Sequence, residues 1–117
     1  MLEGGFLETT VISRGDVTVV ILGGTIDAVN AFSVSETFKK QVEEGRSQLV
    51  ADLGRVVYLS SAGIAALLSG LKEAKDQGGD LRVANAQKNV YKVLEMAGIT
   101  DLMQFFPSVE SAVKSFA

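Results

Sequence analysis

Two short stretches carry the residues whose types and spacing could do chemistry. Residues 60–63 (SSAG) place two adjacent hydroxyls, those of Ser60 and Ser61, directly before an apolar run. Upstream, residues 23–27 (GGTID) follow a β-branched run and end in the carboxylate of Asp27. At a helix start or a turn, hydroxyls and carboxylates act as caps and turn residues or as functional groups. From these residues alone both explanations remain open, and the glycines equally serve a tight turn.

The amino-acid composition excludes most classes of catalytic site. The chain has no Cys and no His. Disulfides, thiolate nucleophiles, zinc-thiolate sites and a Ser-His-Asp triad are therefore excluded. No Asp-x-Asp cluster favours magnesium, so we expect no metal and no cofactor. Residues 69–72 match the S-x-x-K pattern of penicillin-binding enzymes, but they lie within a predicted helix without the companion motifs, and Lys72 is interpreted as a surface charge.

Size and charge favour one small regulatory or binding domain. The 117 residues are 47% hydrophobic and 21% charged, which predicts a single globular domain over residues 1–117. The net charge of −3 argues against direct binding to nucleic acid. The longest apolar runs are too short to span a bilayer, and residues 1–5 lack the features of a signal peptide. We expect a cytoplasmic protein with no membrane insertion.

Apolar periodicity predicts strands that alternate with helices. The predicted strands are 7–13, 17–22, 49–53, 81–84 and a short one at 103–106, with a hairpin turn at 14–16. Helices are predicted over 30–44, over 62–77, around Val90 to Ala97 and after the cap Ser108. The first helix has two alternative starts, a cap at Asn30 or a capping box at 33–36.

This order predicts an α/β domain with a mixed, mostly parallel sheet of four to five strands, an N-terminal antiparallel edge hairpin and about four helices. Functional groups of such sheets gather in the loops that follow the carboxyl ends of parallel strands. Residues 23–27 and 60–63 both follow predicted strands. We therefore expect the two stretches to share one rim of the sheet.

Residues 52–64 (DLGRVVYLSSAGI) resemble the signature of bacterial anti-sigma factor antagonists, a family that shares the STAS domain with sulfate transporters. The family signature runs Asp-Leu, a few residues, an apolar position, and then an acid or Ser, Ser, a small residue, Gly and an aliphatic residue. The likeness continues along the chain. Residues 24–27 with Asn30 and Ala31 resemble the family's Gly-x-Leu-Asp loop and first helix, and residues 93–99 and 108–112 resemble its last two helices.

The resemblance implies a phosphorylation switch. It assigns the acceptor to Ser61, the target of a Ser/Thr kinase that is also the anti-sigma factor. The unmodified antagonist binds that kinase and frees the sigma factor, phosphorylation switches binding off, and a PP2C-type phosphatase resets the protein. The residues expected to form the acceptor site and the partner-binding surface are Gly24, Thr25, Asp27, Asn30, Ser60, Ala62, Gly63 and Ile64.

The chemistry of a helix start fits this role. A phosphate adds about −1.5 to −2 charges, which a helix N-terminus stabilises and a buried interface does not. This sequence departs from the family at Ser60, where many kinase-regulated members have an acid. The departure removes a like charge beside the future phosphate and makes Ser60 a minor competing acceptor.

Two other functions are alternatives to this interpretation. A STAS scaffold or interaction subunit, in a stress-sensing or lipid-transport complex, would leave Ser61 as contact surface or an idle cap. A small nucleotide hydrolase is disfavoured by the missing His, Cys and P-loop. The leading expectation is a regulatory protein that is a kinase and phosphatase substrate and not an enzyme.

Overall fold

The N-terminal half of the sheet begins as a hairpin. The computed structural model describes residues 6–117, in which β1 (Leu7–Arg14) pairs antiparallel with β2 (Val17–Ile26). Gly15 occupies the first turn position at φ +64, which a residue without Cβ adopts readily. Val17 to Val20 are all buried, so β2 is covered on both faces, as its β-branched run predicts.

The remaining strands extend the sheet in parallel. β3 (Gln48–Leu59), β4 (Asp80–Ala84) and β5 (Phe105–Phe106) follow β2 in the order β1-β2-β3-β4-β5. The helices α1 (Ala31–Glu43), α2 (Ser61–Asp76) and α3 (Lys88–Met96) connect successive strands, and α4 (Val109–Lys114) follows β5. A single turn of 3₁₀ helix covers Ile99–Asp101. The predicted fold class, a mixed α/β sheet with an N-terminal antiparallel hairpin and four helices, is confirmed.

The helices cover the two faces of the sheet unequally. The larger core lies under α1, α2 and α3, with Phe38, Leu67 and Leu94 fully buried in it. On the other face α4 packs Ala112 against Val19 and Val50. Full burial of a side chain such as Phe38 contributes about 1.5–3 kcal/mol. On the face of the larger core, α1 and α2 pack directly against each other.

The predicted ends of two strands were wrong. β2 continues to Ile26 and β3 to Leu59, beyond the predicted ends at residues 22 and 53. Beyond Asp52 there is no β4 residue beside β3, and this end of the strand mixes buried with exposed residues instead of staying continuously apolar. The register between β2 and β3 shifts near the glycines at the end of β2. The sequence there lacks the regular apolar pattern by which a strand is predicted. Residues 23–26 are therefore strand and not loop.

The other predicted boundaries differ less from the observed ones. α1 begins at Ala31, so the alternative with Asn30 at the capping position is right and the capping box at 33–36 lies within the helix. The last strand is Phe105–Phe106 alone, because Met103 forms a turn with Ile99 and buries its side chain. Ser108 caps α4 as predicted, since its hydroxyl accepts a hydrogen bond of 3.0 Å from the Ser111 N–H.

Candidate functional site

The carboxyl ends of β2 and β3 meet at one rim of the sheet. The two strands run parallel, with Ile26 opposite Leu59. Just beyond, the Ser60 N–H donates a hydrogen bond of 2.9 Å to the Ile26 carbonyl. This bond ties the start of α2 to the end of β2. The prediction that residues 23–27 and 60–63 share a rim is confirmed.

Ser60 is the N-cap of α2. Its backbone is extended (φ −83, ψ 171), and its hydroxyl accepts a hydrogen bond of 3.2 Å from the Gly63 N–H. Its carbonyl accepts the first intrahelical bond, 3.0 Å from the Ile64 N–H. The side chain is half-buried. Both the hydroxyl and the backbone of Ser60 are thus used to begin the helix.

Ser61 has a different environment although it is the next residue. It is the first residue of α2 and it is exposed. Within residues 6–117 no group hydrogen-bonds to its hydroxyl, in contrast to that of Ser60. The first backbone N–H groups of α2 lie at the same point, where the helix dipole presents partial positive charge. An accessible hydroxyl therefore stands at an electrostatically positive helix end.

Asp27 and Asn30 fold the loop that leads from β2 to α1. One carboxylate oxygen of Asp27 accepts hydrogen bonds from the N–H groups of Val29 (2.9 Å) and Asn30 (3.1 Å). In return, the Asn30 side-chain oxygen accepts from the Asp27 N–H at 2.9 Å, and its amide donates to the Thr25 carbonyl at 2.8 Å. Asn30 occupies the capping position of α1 but uses its side chain in the loop. This network gives Asp27 and Asn30 a structural function on the rim.

Two glycines of the predicted site allow close approaches. A Cβ on Gly63 would lie 2.5 Å from Leu59 Cδ1 and 2.8 Å from Ile26 Cγ2, so the first turn of α2 rests directly on the strand ends. Gly24 has φ +92, and a Cβ there would lie 2.1 Å from the Phe6 carbonyl oxygen. Both positions therefore exclude side chains for reasons of packing, independent of any partner.

The rim also carries apolar side chains that the sequence patterns did not single out. Phe32 is 72% exposed at the start of α1, and Val29, Val57 and Tyr58 are each more than half exposed. Phe32, Ala62 and Ala65 line a shallow cleft of about 200 Å³ between α1 and α2. The available signal was that Phe32 falls outside the helical face of Ala31, Val34, Phe38 and Val42. An exposed apolar surface thus adjoins Ser61.

The rest of the described chain offers no other obvious chemistry. Among residues 6–117, no three Asp or Glu side chains come together as a metal site would require. In the same range no helix is long and apolar enough to cross a membrane. The one clear pKa shift among these described residues lies away from this rim, where Arg14 pairs with Glu110 and lowers the pKa of that carboxyl below its usual value. Within residues 6–117, the rim that carries Ser61 is therefore the best candidate for a functional site.

Comparison with known proteins agrees with the geometry. Residues 8–112 match the family model of the STAS domain. The putative anti-sigma factor antagonist BtrV of Bordetella bronchiseptica is 30% identical over 98 residues, which cover 84% of each chain.

Solved structures share the fold. An anti-sigma factor antagonist from Mycobacterium paratuberculosis superposes with a TM-score of 0.85 at 23% identity, covering 94% of this chain and 93% of that one. The Bacillus cell fate determinant SpoIIAA in its phosphorylated form superposes with a TM-score of 0.71 at 17% identity, covering 96% of this chain and all of that one. The resemblance drawn from residues 52–64 is confirmed at the level of the family. The chain belongs to the STAS domain family.

Proposed function

We propose that this protein is an anti-sigma factor antagonist controlled by phosphorylation of Ser61. In this proposal the unphosphorylated form binds a Ser/Thr kinase that is also the anti-sigma factor, and the sigma factor is released. Phosphorylation of Ser61 by that kinase ends binding, and a PP2C-type phosphatase restores it. The protein acts in the cytoplasm as one STAS domain over residues 1–117.

The accessibility of the Ser61 hydroxyl carries the proposal. Ser61 is exposed, and no described group hydrogen-bonds to its side chain. Ser60 is half-buried, and its hydroxyl accepts the bond from Gly63. A kinase must bring the acceptor oxygen into line with the γ-phosphate, which an exposed hydroxyl without a structural role permits. We therefore assign the acceptor to Ser61 and not to its neighbour.

The position of Ser61 explains how the fold would tolerate a phosphate. The group would add about −1.5 to −2 charges next to the first N–H groups of α2. Negative charge at a helix N-terminus is favourable by about 0.3–1 kcal/mol. Phosphorylation should accordingly leave the domain folded. The solved phosphorylated form of SpoIIAA, which shares this fold, supports that expectation.

The surroundings of Ser61 explain how the same phosphate would release a partner. Phe32 lines the cleft that Ala62 borders at the start of α2, Tyr58 lies three residues before Ser61, and both side chains are more than half exposed. A partner that covers them would also cover Ser61 and would exclude water from it. A phosphate held there without counter-charges would lose its hydration, which costs several kcal/mol. The name of the relative BtrV, a putative anti-sigma factor antagonist, supports such a partner.

Ser60 gives this protein a different local charge from many kinase-regulated relatives. An acid at this position would repel the phosphate on Ser61, whereas a serine does not. Ser60 also retains the capping function, because Ser and Asp are about equally good N-caps. We propose that the substitution stabilises the phosphorylated form and slows its removal by the phosphatase.

Phosphorylation of defined variants tests the assignment. Wild type, Ser61→Ala and Ser60→Ala would be incubated with labelled ATP and the anti-sigma factor kinases of the source organism. Ser61→Ala should lose the label, while Ser60→Ala keeps it and shows that a lost helix cap does not abolish recognition. Equal labelling of Ser61→Ala and wild type would contradict the assignment.

Native mass spectrometry tests the partner. The unphosphorylated protein should form a complex with its kinase in the presence of nucleotide, and the phosphorylated protein should not. A protein that forms large homo-assemblies and binds none of the kinases would contradict the antagonist function and favour a scaffold instead.

A further inference from the structure

The strand β1 forms one edge of the sheet, and within residues 6–117 no other strand pairs with its outer side. β1 is the first strand in the sheet order, and from Glu8 to Arg14 every residue is exposed. The opposite edge, β5, is only two residues long. Proteins usually protect long edges with proline, lysine, bulges or a covering element. β1 contains neither proline nor lysine, and its register with β2 is continuous.

The register shows which backbone groups point outward. The Thr25 N–H donates to the Phe6 carbonyl at 2.7 Å, so Phe6 and Thr25 form a hydrogen-bonded pair of the antiparallel ladder. Such pairs alternate along β1, and the even-numbered residues bond to β2. Leu7, Thr9, Val11 and Ser13 therefore direct their N–H and C=O groups away from the sheet. They form a row of donors and acceptors suited to another strand.

We propose that two copies of this protein form a two-fold dimer by antiparallel pairing of their β1 strands, with Val11 opposite Val11 of the second copy. The two five-stranded sheets then become one continuous sheet. The outward row supplies about six main-chain hydrogen bonds across the two-fold axis. Val11 and Ile12, 40% and 38% exposed on opposite faces of β1, gain cover from the second copy.

Charge complementarity selects this register. With Val11 on the axis, Glu8 of each copy stands opposite Arg14 of the other, which gives two ion pairs, and Thr10 stands opposite Ile12. With Ile12 on the axis, Glu8 would face Asp16 and repel it. With Thr10 on the axis, Glu8 would face the apolar Ile12. Arg14 already pairs with Glu110 of its own chain, and its five N–H donors can serve both carboxylates.

Sedimentation velocity over a concentration series tests the dimer. Val11→Pro removes an outward N–H that β2 does not use, so the monomer should stay folded while the dimer dissociation constant rises about tenfold or more. Val11→Ala keeps the N–H and should weaken the dimer less. Circular dichroism and urea unfolding verify that both variants fold. A wild type that stays monomeric at every concentration, or Val11→Pro that dimerises as well as wild type, would overturn the proposal.

Single cysteines test the register, because the chain has no cysteine of its own. Val11→Cys should form a disulfide-linked dimer on mild oxidation, since opposed residues of an antiparallel pair lie within disulfide reach. Thr10→Cys should crosslink far less, because it faces Ile12 and not its own copy. Efficient crosslinking at residue 10 with none at residue 11 would overturn the proposed pairing.

Charge exchange tests the ion pairs. Glu8→Arg alone and Arg14→Glu alone each create two like-charge contacts, so each homodimer should weaken about tenfold. An equimolar mixture of the two variants should recover dimer, because both contacts between the copies, at residues 8 and 14, are again between opposite charges. A mixture that stays as monomeric as its components would contradict the proposed register. These readouts do not involve Ser61, so their failure is separate from failure of the antagonist function.

Discussion

The hydroxyl of Ser60 and the backbone N–H of Gly63 are joined by a hydrogen bond of 3.2 Å across the first turn of α2. Gly63 in turn lies against Ile26 and Leu59, at the ends of β2 and β3. Of the two adjacent serines, Ser60 is therefore the one that caps the helix. The other, Ser61, keeps an exposed hydroxyl.

Removal of this cap should weaken the fold. We expect Ser60→Ala to lower the free energy of unfolding by about 1 kcal/mol, because the Gly63 N–H loses its acceptor. Urea denaturation measures the change. Ser69→Ala is a matched control, since Ser69 is exposed within α2 and replacement of a mid-helix serine by alanine is neutral or slightly stabilising. Equal stability of Ser60→Ala and Ser69→Ala would argue against the capping function.

A permanent negative charge at residue 61 should weaken partner binding without destabilising the fold. We expect Ser61→Asp to change the free energy of unfolding by no more than about 0.5 kcal/mol, because an acid in the first turn of a helix is well tolerated. Its dissociation constant for the anti-sigma factor kinase should rise about tenfold or more. Calorimetry measures both quantities, and neutral Ser61→Asn is the control for size. Tight binding by Ser61→Asp would contradict the electrostatic mechanism.

The exposed aromatic side chain beside Ser61 should contribute to partner binding. Phe32 is 72% exposed, so Phe32→Ala should leave stability within about 0.5 kcal/mol. Loss of an aromatic anchor at an interface should weaken kinase binding by about tenfold or more. Met96→Ala removes a side chain that is 80% exposed on α3 and provides a control. Equal effects of the two substitutions on binding would show that the kinase does not dock beside Ser61.

A methyl group at residue 63 should disturb the rim. Alanine favours a helix over glycine by about 1 kcal/mol, but its Cβ would lie 2.5 Å from Leu59 Cδ1 and 2.8 Å from Ile26 Cγ2. Overpacking of this kind costs about 1–3 kcal/mol, so we expect Gly63→Ala to be destabilising overall. Thermal and urea unfolding check the sign. A more stable Gly63→Ala would mean that the first turn of α2 is not closely packed against Ile26 and Leu59.

Much of the architecture could be predicted because apolar periodicity reports burial directly. The β-branched run of Val17 to Leu22 predicted a covered strand, and the residues around Leu67 predicted a helix with one buried face. The predicted strands β2 and β3 were too short at their carboxyl ends, where the residues are no longer continuously buried. Beyond Asp52 the strand β3 has no β4 residue beside it, and the exposed residues Arg55, Val57 and Tyr58 interrupt its apolar signal.

Local sequence patterns specify the order of strands and helices and the two hydroxyls at the start of α2, because side-chain periodicity and capping chemistry act over a few residues. The accessible hydroxyl is selected instead by contacts between segments far apart in the chain. The Ile26 carbonyl, 34 residues upstream, accepts from the Ser60 N–H and holds Ser60 as the cap, and Ser61 is left facing outward. The surface of Phe32 and the open edge of β1 were likewise decided by packing between distant segments, which no local pattern records.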